Sequence, residues 1–350
     1  MRSTTPAPTS LGAPHPCTPL DGLTVGVLGA GRVGAVLGSV LQALPTTAVV
    51  AASGETPATR ERMADLLPGV EVAKPTAVAR ACDLLLLTVP DDMLPGVVRS
   101  MADSGSLRPG QLVVHTSGKH GLDVLAPAAA VGCRVLAVHP AMTFTGTAAD
   151  VERLQGCVFG VTVPDELATV ADALVAALGG RPVRIAEEHR ALYHAGLAHG
   201  ANHLVTLVSQ AMDLLRAAGV DDPAGTLRPL LTAALDNTLE HGDAALTGPV
   251  ARGDLRTVRD HLSRITEHAP GALDAYAAMA RATVERTVAD GRLAPRRAVA
   301  LDQALTDALA GEGGGRVPGR PGTSAPVREF DTSWTTSSPD RHGVGQGGTR

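Results

Sequence analysis

A glycine-rich segment near the N-terminus constrains the fold of this chain more than any other feature. A short apolar run, Thr24–Leu28, leads directly into Gly29-Ala30-Gly31-Arg32-Val33-Gly34, and a helical pattern continues to Leu44. In a dinucleotide-binding βαβ unit the first glycine of GxGxxG makes a tight turn, the second lets the backbone approach a pyrophosphate, and the third permits close helix–strand packing. Its place between a strand and a helix favours such a site over an ordinary glycine turn.

Further apolar runs alternate with helical stretches as far as Ala186 and predict a sheet. Several of them lack in/out alternation, which is typical of strands buried on both faces. From Glu187 onward, long Ala/Leu-rich helical stretches follow, with no convincing strand. The sequence therefore predicts a Rossmann-type, doubly wound, mostly parallel α/β sheet followed by an all-helical C-terminal domain. The predicted strands are Thr24–Leu28, Ala48–Ala52, Val70–Ala73, Leu84–Val89, Leu112–His115, Val135–His139, Val158–Val163 and Pro182–Ile185.

Composition sets the expected domain limits. Residues 1–22 are rich in Thr, Pro and Ala, and residues 311–350 in Gly, Pro, Ser, Thr and Arg, so we expect a flexible leader and a disordered tail. Between them we expect a dinucleotide-binding domain over 23–186 and a helical substrate or dimerisation domain over 187–310.

Charge and composition also exclude several function classes. The 350 residues carry a formal net charge of −5 and only 2% aromatic residues, which argues against nucleic-acid binding. No apolar run is long enough for a membrane span, and no signal core is evident. The four cysteines form no CxxC pair, so neither a zinc site nor a disulfide framework is expected. These features predict a soluble cytoplasmic protein.

The end of the second predicted strand bears on the choice of cofactor. NAD sites place an acidic residue there for the ribose 2′-hydroxyl, but this strand ends at Ser53-Gly54. Thr56, Arg60 and Arg62 follow, and hydroxyl and guanidinium groups suit a 2′-phosphate. We expect NADP, with Ser53 and Arg60 at its site, although the arginines also fit a solvated helix face. NAD or a deazaflavin remains an alternative.

Three further segments follow strand ends on the same predicted edge. Val89-Pro90-Asp91 is expected beside the dinucleotide, or forms only a strand-terminating turn. Ser117 follows the strand ending at His115, and His139 ends another strand. Histidine is the natural proton donor near neutral pH and a hydroxyl can orient it, so His139 with Ser117 forms the candidate catalytic pair. A histidine at a strand end is also often only structural.

The first helix of the C-terminal region places small and polar residues on one face. His194, Ala198, Ala201 and Asn202 fall within one face at helical spacing, beside Tyr193. We expect His194 and Asn202 to orient a substrate. His199 and His203 have the spacing of a zinc pair but lack the Glu of HExxH and a third ligand, so no metal is expected.

A later break between helices, Thr247-Gly248-Pro249-Val250-Ala251-Arg252-Gly253-Asp254, has two interpretations. Arginine is well suited to bind a substrate carboxylate, so Thr247, Arg252 and Asp254 are candidate substrate-binding residues. The same pattern also fits an interhelical turn with internal pairing.

Together, the glycine loop, the Val89–Asp92 turn, the His139–Gly146 segment, Asn202 and the Thr247–Asp254 segment resemble one family. It is the bacterial Rossmann-like proteins with a C-terminal domain of unknown function 2520. The layout is more distantly similar to pyrroline-5-carboxylate reductase, ketopantoate reductase, prephenate dehydrogenase and β-hydroxyacid dehydrogenases. The resemblance implies NAD(P)-dependent hydride transfer and a helical domain like that of 6-phosphogluconate dehydrogenase, often dimeric.

The same resemblance implies roles for individual residues. Ser117 and His139-Pro140 resemble the Ser and His-Pro of prephenate dehydrogenase, and His199-Gly-Ala-Asn202 resembles a KxxN pattern with His in place of Lys. This exchange shifts the acid role to His139 or His194. The prediction is an NADP-dependent oxidoreductase acting on a small keto or imino carboxylate, ketopantoate-like as first guess. The alternative is a non-catalytic dinucleotide-binding or sensing protein.

Overall fold

A computed structural model describes residues 19–313 of the chain. Most of the predicted leader and tail therefore lies outside the described residues. At the N-terminal end, Leu20 is only 3% exposed and packs into the core, and at the other end the last helix continues to Gly313. The predicted domain limits at 22/23 and 310/311 stay predictions, with Leu20 in the hydrophobic core on one side and the last helix ending at Gly313 on the other.

Eight strands form one sheet in the order β3-β2-β1-β4-β5-β6-β7-β8. All neighbouring strands pair in parallel except β6 and β7, which pair antiparallel. The prediction of a mostly parallel sheet is confirmed, and each predicted strand is present within two residues of its expected limits. The strands are β1 Thr24–Leu28, β2 Ala48–Ser53, β3 Glu71–Val72, β4 Leu84–Leu87, β5 Leu112–His115, β6 Arg134–Pro140, β7 Val158–Thr162 and β8 Arg181–Arg184.

The run of four leucines in β4 shows why the central strands lack alternation. Leu84 and Leu86 belong to one buried cluster, whereas Leu85 and Leu87 belong to another, and all four are at most 2% exposed. Successive side chains of a strand point to opposite faces of the sheet. Both faces are therefore covered, as βαβ crossovers require.

Seven helices accompany the sheet. The α2 helix begins as the sequence predicts, with the Thr56 hydroxyl accepting from the Thr59 backbone N–H and Pro57 in the first turn. The helices are α1 Arg32–Gln42, α2 Pro57–Leu66, α3 Pro75–Ala81, α4 Leu94–Asp103, α5 Ala126–Ala130, α6 Ala149–Arg153 and α7 Ala168–Ala177.

The residues after β8 are helical throughout the described part, as predicted. The chain divides into two compact units, one up to Thr206 and one from Leu207. The predicted division at 186/187 marks the end of the sheet, but the first turns of α8 belong to the sheet-containing unit. The second unit has its own core, which includes Val258, Leu273 and Leu301. The helices are α8 Arg190–Ala217, α9 Pro223–His241, α10 Gly248–Arg252, α11 Leu255–His268, α12 Leu273–Ala289 and α13 Pro295–Gly313.

Between Pro19 and Gly313, none of the helices combines the length and the apolar character needed to cross a membrane.

Candidate active site

The first and third glycines of the glycine loop are required sterically. Gly29 has φ +92°, and a Cβ added there would lie 3.0 Å from Cγ1 of Val89. A Cβ on Gly34 would collide with Oγ1 of Thr88 and lie 2.6 Å from the Gly29 carbonyl oxygen. These contacts match the tight turn and the close helix–strand packing expected of a dinucleotide loop.

The second glycine leaves an open approach to the backbone. A Cβ on Gly31 would have only the Gly29 carbonyl oxygen within reach, at 3.8 Å. Gly31 is the N-cap of α1 and supplies no side-chain cap, so the first amides of the helix face outward from the loop. A helix N-terminus of this kind binds phosphate groups through its N–H groups and its dipole. Gly29 to Gly34 therefore fit a dinucleotide pyrophosphate.

Ser53 supports the glycine loop. Its hydroxyl accepts a 3.1 Å hydrogen bond from the Gly29 N–H, its carbonyl accepts one from Ala30, and the residue is 6% exposed. The hydroxyl of Ser53 thus holds the loop and keeps its own hydrogen free to donate, and a cofactor contact of Ser53 stays a prediction.

Two arginines, Arg32 and Arg62, lie against Gly146. A Cβ on Gly146 (φ +80°) would lie 2.5 Å from Nε of Arg62 and 3.0 Å from Cγ of Arg32. These three residues are therefore in contact, whereas Arg60 is exposed. Gly146 belongs to the segment after β6, so this segment packs against both the start of α1 and α2.

Asp150 fixes this segment. Its buried carboxylate accepts hydrogen bonds from the backbone N–H groups of Thr145 and Gly146, both at 2.7 Å, and from the Thr145 hydroxyl at 3.0 Å. Arg153 pairs with it at 3.2 Å. Burial alone would raise the pKa of Asp150, but the hydrogen bonds from Gly146 and Thr145 outweigh it and leave the pKa lowered.

The turn after β4 lies against the glycine loop. Val89 contacts Gly29, and the Asp91 carbonyl oxygen lies 3.2 Å from Nε2 of His120. Pro90 begins the turn that leads into α4, since its carbonyl accepts from Met93 and Leu94. Val89 thus lies beside the loop and Asp91 contacts the segment that follows β5, and a cofactor role for Val89, Pro90 and Asp91 stays a prediction.

A small cavity lies beside the end of β6. Its volume is about 150 Å³, and it brings together His139, His194 and Asn202. The helical face predicted from spacing is present here, since Ala198 and Ala201 also line the cavity. The complete lining is His139, Ala141, Met142, Thr143, His194, Leu197, Ala198, Ala201 and Asn202.

His139 is flanked by two rings from the first turns of α8. Its Nδ1 lies 3.1 Å from the Tyr193 hydroxyl, and the His194 ring is 5.9 Å away, edge to face. Burial, together with electrostatic effects of Arg190 and His194, lowers the pKa of His139 to about 4, against the opposing effect of Asp91. The imidazole is therefore neutral at pH 7.

Arg190, the first residue of α8, connects three parts of the sheet edge. Its guanidinium, 1% exposed, donates to the carbonyl oxygens of Ser117 and Gly160 and to Oγ1 of Thr162. It also lies 6.0 Å from the centroid of the Tyr193 ring. Burial lowers its pKa, with Tyr193, Glu187 and Asp91 acting in the opposite direction. The sequence does not reveal Arg190, because a Glu-Glu-His-Arg helix start is typical of solvent exposure.

The hydrogen-bond partner of His139 is Tyr193, whereas Ser117 bonds within its own segment, and a catalytic role for Ser117 stays a prediction. The Ser117 hydroxyl accepts from the backbone N–H of His120, and its own N–H donates to Nδ1 of His115. His115 is fully buried, and its Nε2 bonds to the Gly121 carbonyl at 2.8 Å. Burial lowers the pKa of His115 to about 4. These contacts shape the segment after β5, whose Gly118 packs against Nε2 of His139 and the ring of His194.

The remaining predicted residues lie in the second unit. Thr247 precedes α10 without a side-chain cap, and Arg252 is exposed at its end. The carboxylate of Asp254 caps α11, accepting from the N–H and hydroxyl of Thr257. These bonds lower the pKa of Asp254. The capping interaction matches the interhelical-turn interpretation, and a substrate role for the three residues stays a prediction.

His199 and His203 do form the expected i, i+4 pair, with their Nδ1 atoms 2.9 Å apart. Across residues 19–313, no group of three or more His, Cys, Asp or Glu side chains is arranged to hold a metal ion.

The fold and the glycine loop define a Rossmann-type protein with an appended helical region. A profile of the Rossmann-like domain matches residues 17–140. A profile of the domain of unknown function 2520 matches residues 157–283. The chain therefore carries a Rossmann-like domain followed by this domain of unknown function, and the family resemblance drawn from its motifs is confirmed.

Solved structures with similar folds include a candidate NADP oxidoreductase from Bacteroides fragilis, 19% identical, with a TM-score of 0.64 over 75% of this chain and 97% of that one. An imine reductase from Myxococcus stipitatus in complex with NADP⁺ is 20% identical, with a TM-score of 0.59 over 82% and 99%. A reductive aminase from Aspergillus terreus with NADPH and ethyl levulinate is 17% identical, with a TM-score of 0.55 over 80% and 99%. At these identities the likeness concerns the fold. No curated protein matches the chain by sequence.

Proposed function

We propose that the chain is an NADP-dependent oxidoreductase that reduces the C=O or C=N group of a small carboxylate-bearing compound. One observation carries this proposal: a single segment after β6 borders both places that the reaction needs. Its Met142 and Thr143 line the cavity, and its Gly146 packs against Arg32 and Arg62. The similar folds of an imine reductase and a reductive aminase give further support. A ketopantoate-like substrate stays a prediction.

The residues that would hold the dinucleotide are those of the glycine loop, with Val89, Pro90 and Asp91 beside it. When bound, a reduced nicotinamide dinucleotide supplies the hydride for such a reaction. His139, His194 and Asn202 line the cavity, and the amide of Asn202 can both donate and accept hydrogen bonds. Arg252 would bind the substrate carboxylate under the same proposal.

A preference for NADP over NAD can be tested on one side chain. Arg62 contacts Gly146, and a guanidinium there can form a charge-assisted pair with a 2′-phosphate. Arg62→Ala should weaken NADPH binding by about 10–100-fold and leave NADH binding nearly unchanged, because such a bond contributes roughly 1.5–3 kcal/mol. Arg60→Ala, on the same helix, tests the other arginine that the sequence predicts at this site. Titration calorimetry measures both. Equal effects of Arg62→Ala on the two dinucleotides would contradict the assignment.

Catalysis itself is tested with NADPH against a panel of 2-keto acids and cyclic imines, in both native protein and His139→Gln. We expect NADPH oxidation by the native protein with at least one compound, and a large loss in the variant with unchanged dinucleotide affinity. Tight NADPH binding without oxidation across the panel would instead favour a dinucleotide-sensing protein.

We also propose a homodimer formed through α8 and α9. These long helices bury very few residues: only Arg190 in α8 and only Pro223 and Leu227 in α9. Isolated helices are marginal in water, so most helical stability must come from packing of an apolar face. The exposed fractions of their apolar side chains are large: Leu192 73%, Leu204 40%, Val205 68%, Leu207 44%, Leu230 64%, Leu235 51% and Leu239 78%. We propose that a second copy of the chain covers these exposed apolar side chains. Sedimentation equilibrium measures the mass of the protein in solution and thus the dimer.

A further inference from the structure

We propose that Tyr193 and His139 form a proton relay to the substrate, and that Arg190 is its positioning residue. The relay rests on the proposed reductase function and adds to it, because the proton source is a tyrosine behind the histidine and not the histidine alone.

Tyr193 and His139 are hydrogen-bond partners, since the Tyr193 hydroxyl oxygen lies 3.1 Å from Nδ1 of His139. The relay requires the phenolic O–H to donate and Nδ1 to accept, and the tautomer of His139 reports this direction. A neutral imidazole that accepts at Nδ1 carries its hydrogen on Nε2. Nε2 is the nitrogen on the side of Gly118 and His194, and His139 lines the cavity.

His139 by itself is a poor source of protons at neutral pH. With a pKa of about 4, its imidazolium form makes up about one part in a thousand at pH 7. The charged groups that face it are Arg190 and His194, which disfavour the imidazolium, and Asp91, which favours it. A proton must therefore reach Nδ1 as the one on Nε2 leaves.

Tyr193 is a suitable source of that second proton. Burial raises the pKa of Tyr193, so it is protonated at neutral pH, and the thiol of Cys157 acts in the same direction. The Arg190 cation and the Gly160 hydrogen bond act against this and favour the tyrosinate that forms after transfer. The partners of the Arg190 guanidinium are uncharged oxygens, and its Nε has no hydrogen-bond partner. Its positive charge is thus left to act on the nearby phenol.

A reduced nicotinamide dinucleotide, when bound, would supply a hydride to the carbon of C=O or C=N, and the electron pair of the π bond would move to oxygen or nitrogen. That atom takes the proton from Nε2 of His139. The phenolic O–H of Tyr193 breaks, its proton moves to Nδ1, and tyrosinate remains. Solvent then protonates Nε2, and the proton on Nδ1 returns to the tyrosinate oxygen, which restores the starting tautomer.

The chain contains its own control for this arrangement. Tyr276 and His261, both in the second unit, are also paired, with the hydroxyl 2.9 Å from Nδ1 and the rings at 80°. The sequence has only two tyrosines, so Tyr276→Phe leaves Tyr193 as the sole tyrosine to titrate, and Tyr193→Phe leaves only Tyr276.

Two measurements on protein without substrate test the hydrogen-bond arrangement. Nitrogen-15 NMR of labelled histidines, with His139 identified from its loss in His139→Gln, should find a neutral Nε2–H tautomer from pH 5 to 8. Ultraviolet titration of Tyr276→Phe measures the pKa of Tyr193 alone. Adding Arg190→Met to this variant should raise that pKa, because a positive charge is lost, whereas adding Arg190→Lys should leave it unchanged. Circular dichroism checks that these variants fold. An Nδ1–H tautomer would overturn the relay whatever the fate of the arginine variants.

Kinetics with NADPH and the panel of keto acids and cyclic imines test the transfer. Native protein and Tyr276→Phe should turn over at a rate that varies little between pH 5 and 8. Tyr193→Phe, with only imidazolium left as donor, should lose about tenfold per pH unit above pH 4 while its NADPH affinity is unchanged. A flat profile and native turnover in Tyr193→Phe would exclude the relay. If no compound is reduced by the native protein, the reductase proposal fails, and the tautomer of His139 still decides the hydrogen-bond arrangement.

Discussion

Removing the negative charge of Asp150 should destabilise the protein in a pH-dependent way. Asp150→Asn is nearly isosteric, and its remaining oxygen can keep the two 2.7 Å bonds from Thr145 and Gly146. The charge assistance of those bonds is lost, and if the new NH₂ group takes the place of Oδ1 it faces the guanidinium of Arg153, a donor that has no acceptor for it. Bonds to a charged partner contribute roughly 1.5–3 kcal/mol against 0.5–1.5 for neutral ones, so we expect a total loss of about 2 kcal/mol.

The pH dependence has a definite sign. The pKa of Asp150 is lowered in the folded protein, so the stability that its carboxylate contributes is complete above the unfolded value of 3.8 and disappears as pH falls through the lower folded value. The difference between native protein and Asp150→Asn should therefore be constant above about pH 5 and shrink below pH 4. Urea unfolding followed by far-ultraviolet circular dichroism measures it at each pH.

Asp172→Asn is the matched control. Asp172 pairs with Arg184 at 2.8 Å, but both side chains are about half exposed, so less than about 1 kcal/mol should be lost. NADPH affinity should fall in Asp150→Asn alone, because Gly146 is positioned against Arg32 and Arg62. An equal destabilisation at pH 7 and pH 3, or one no larger than that of the control, would refute the reasoning.

Two further predictions concern the glycine loop and the α9 surface. Gly34→Ala should abolish measurable NADPH binding in calorimetry and lower the midpoint of thermal unfolding, since its Cβ collides with Thr88. Gly31→Ala should keep the fold, because there is open space around Gly31. An equal drop of the thermal midpoint in both variants would contradict the packing argument. Leu235→Ser combined with Leu239→Ser should shift the protein toward monomer in sedimentation equilibrium, and an unchanged mass would contradict the dimer proposal.

Much of the sheet could be predicted from the sequence, because its signals are local. The continuous leucines of β4 require burial on both faces, and the glycine loop requires a strand before it and a helix after it. The face of α8 that carries His194 and Asn202 follows from helical spacing alone. The antiparallel pairing of β7 depends on long-range contacts, and no local pattern distinguishes it from its parallel neighbours.

The interior of the site was less predictable, because its contacts join residues distant in sequence. Arg190 bonds to Ser117 and Gly160, across 73 and 30 positions. A charged residue at a helix start is normally solvated, so nothing local marks it as buried. Ser117 follows its strand as expected, but its hydroxyl bonds to His120, a partner that spacing does not reveal. Asp150 likewise looks like an ordinary surface carboxylate until the segment folds over it.

The antiparallel pairing of β6 and β7 makes Gly160 the direct cross-strand partner of His139. Gly160 does not have a positive φ, so the backbone conformation does not require glycine here. Space does, because an added Cβ would lie 2.6 Å from the Tyr193 hydroxyl oxygen. The ring of Tyr193 fills the volume that a side chain on β7 would otherwise occupy. A side chain at position 160 and a tyrosine at position 193 therefore exclude each other sterically. In proteins with this fold, we expect a residue larger than glycine at position 160 to occur together with a residue smaller than tyrosine at position 193.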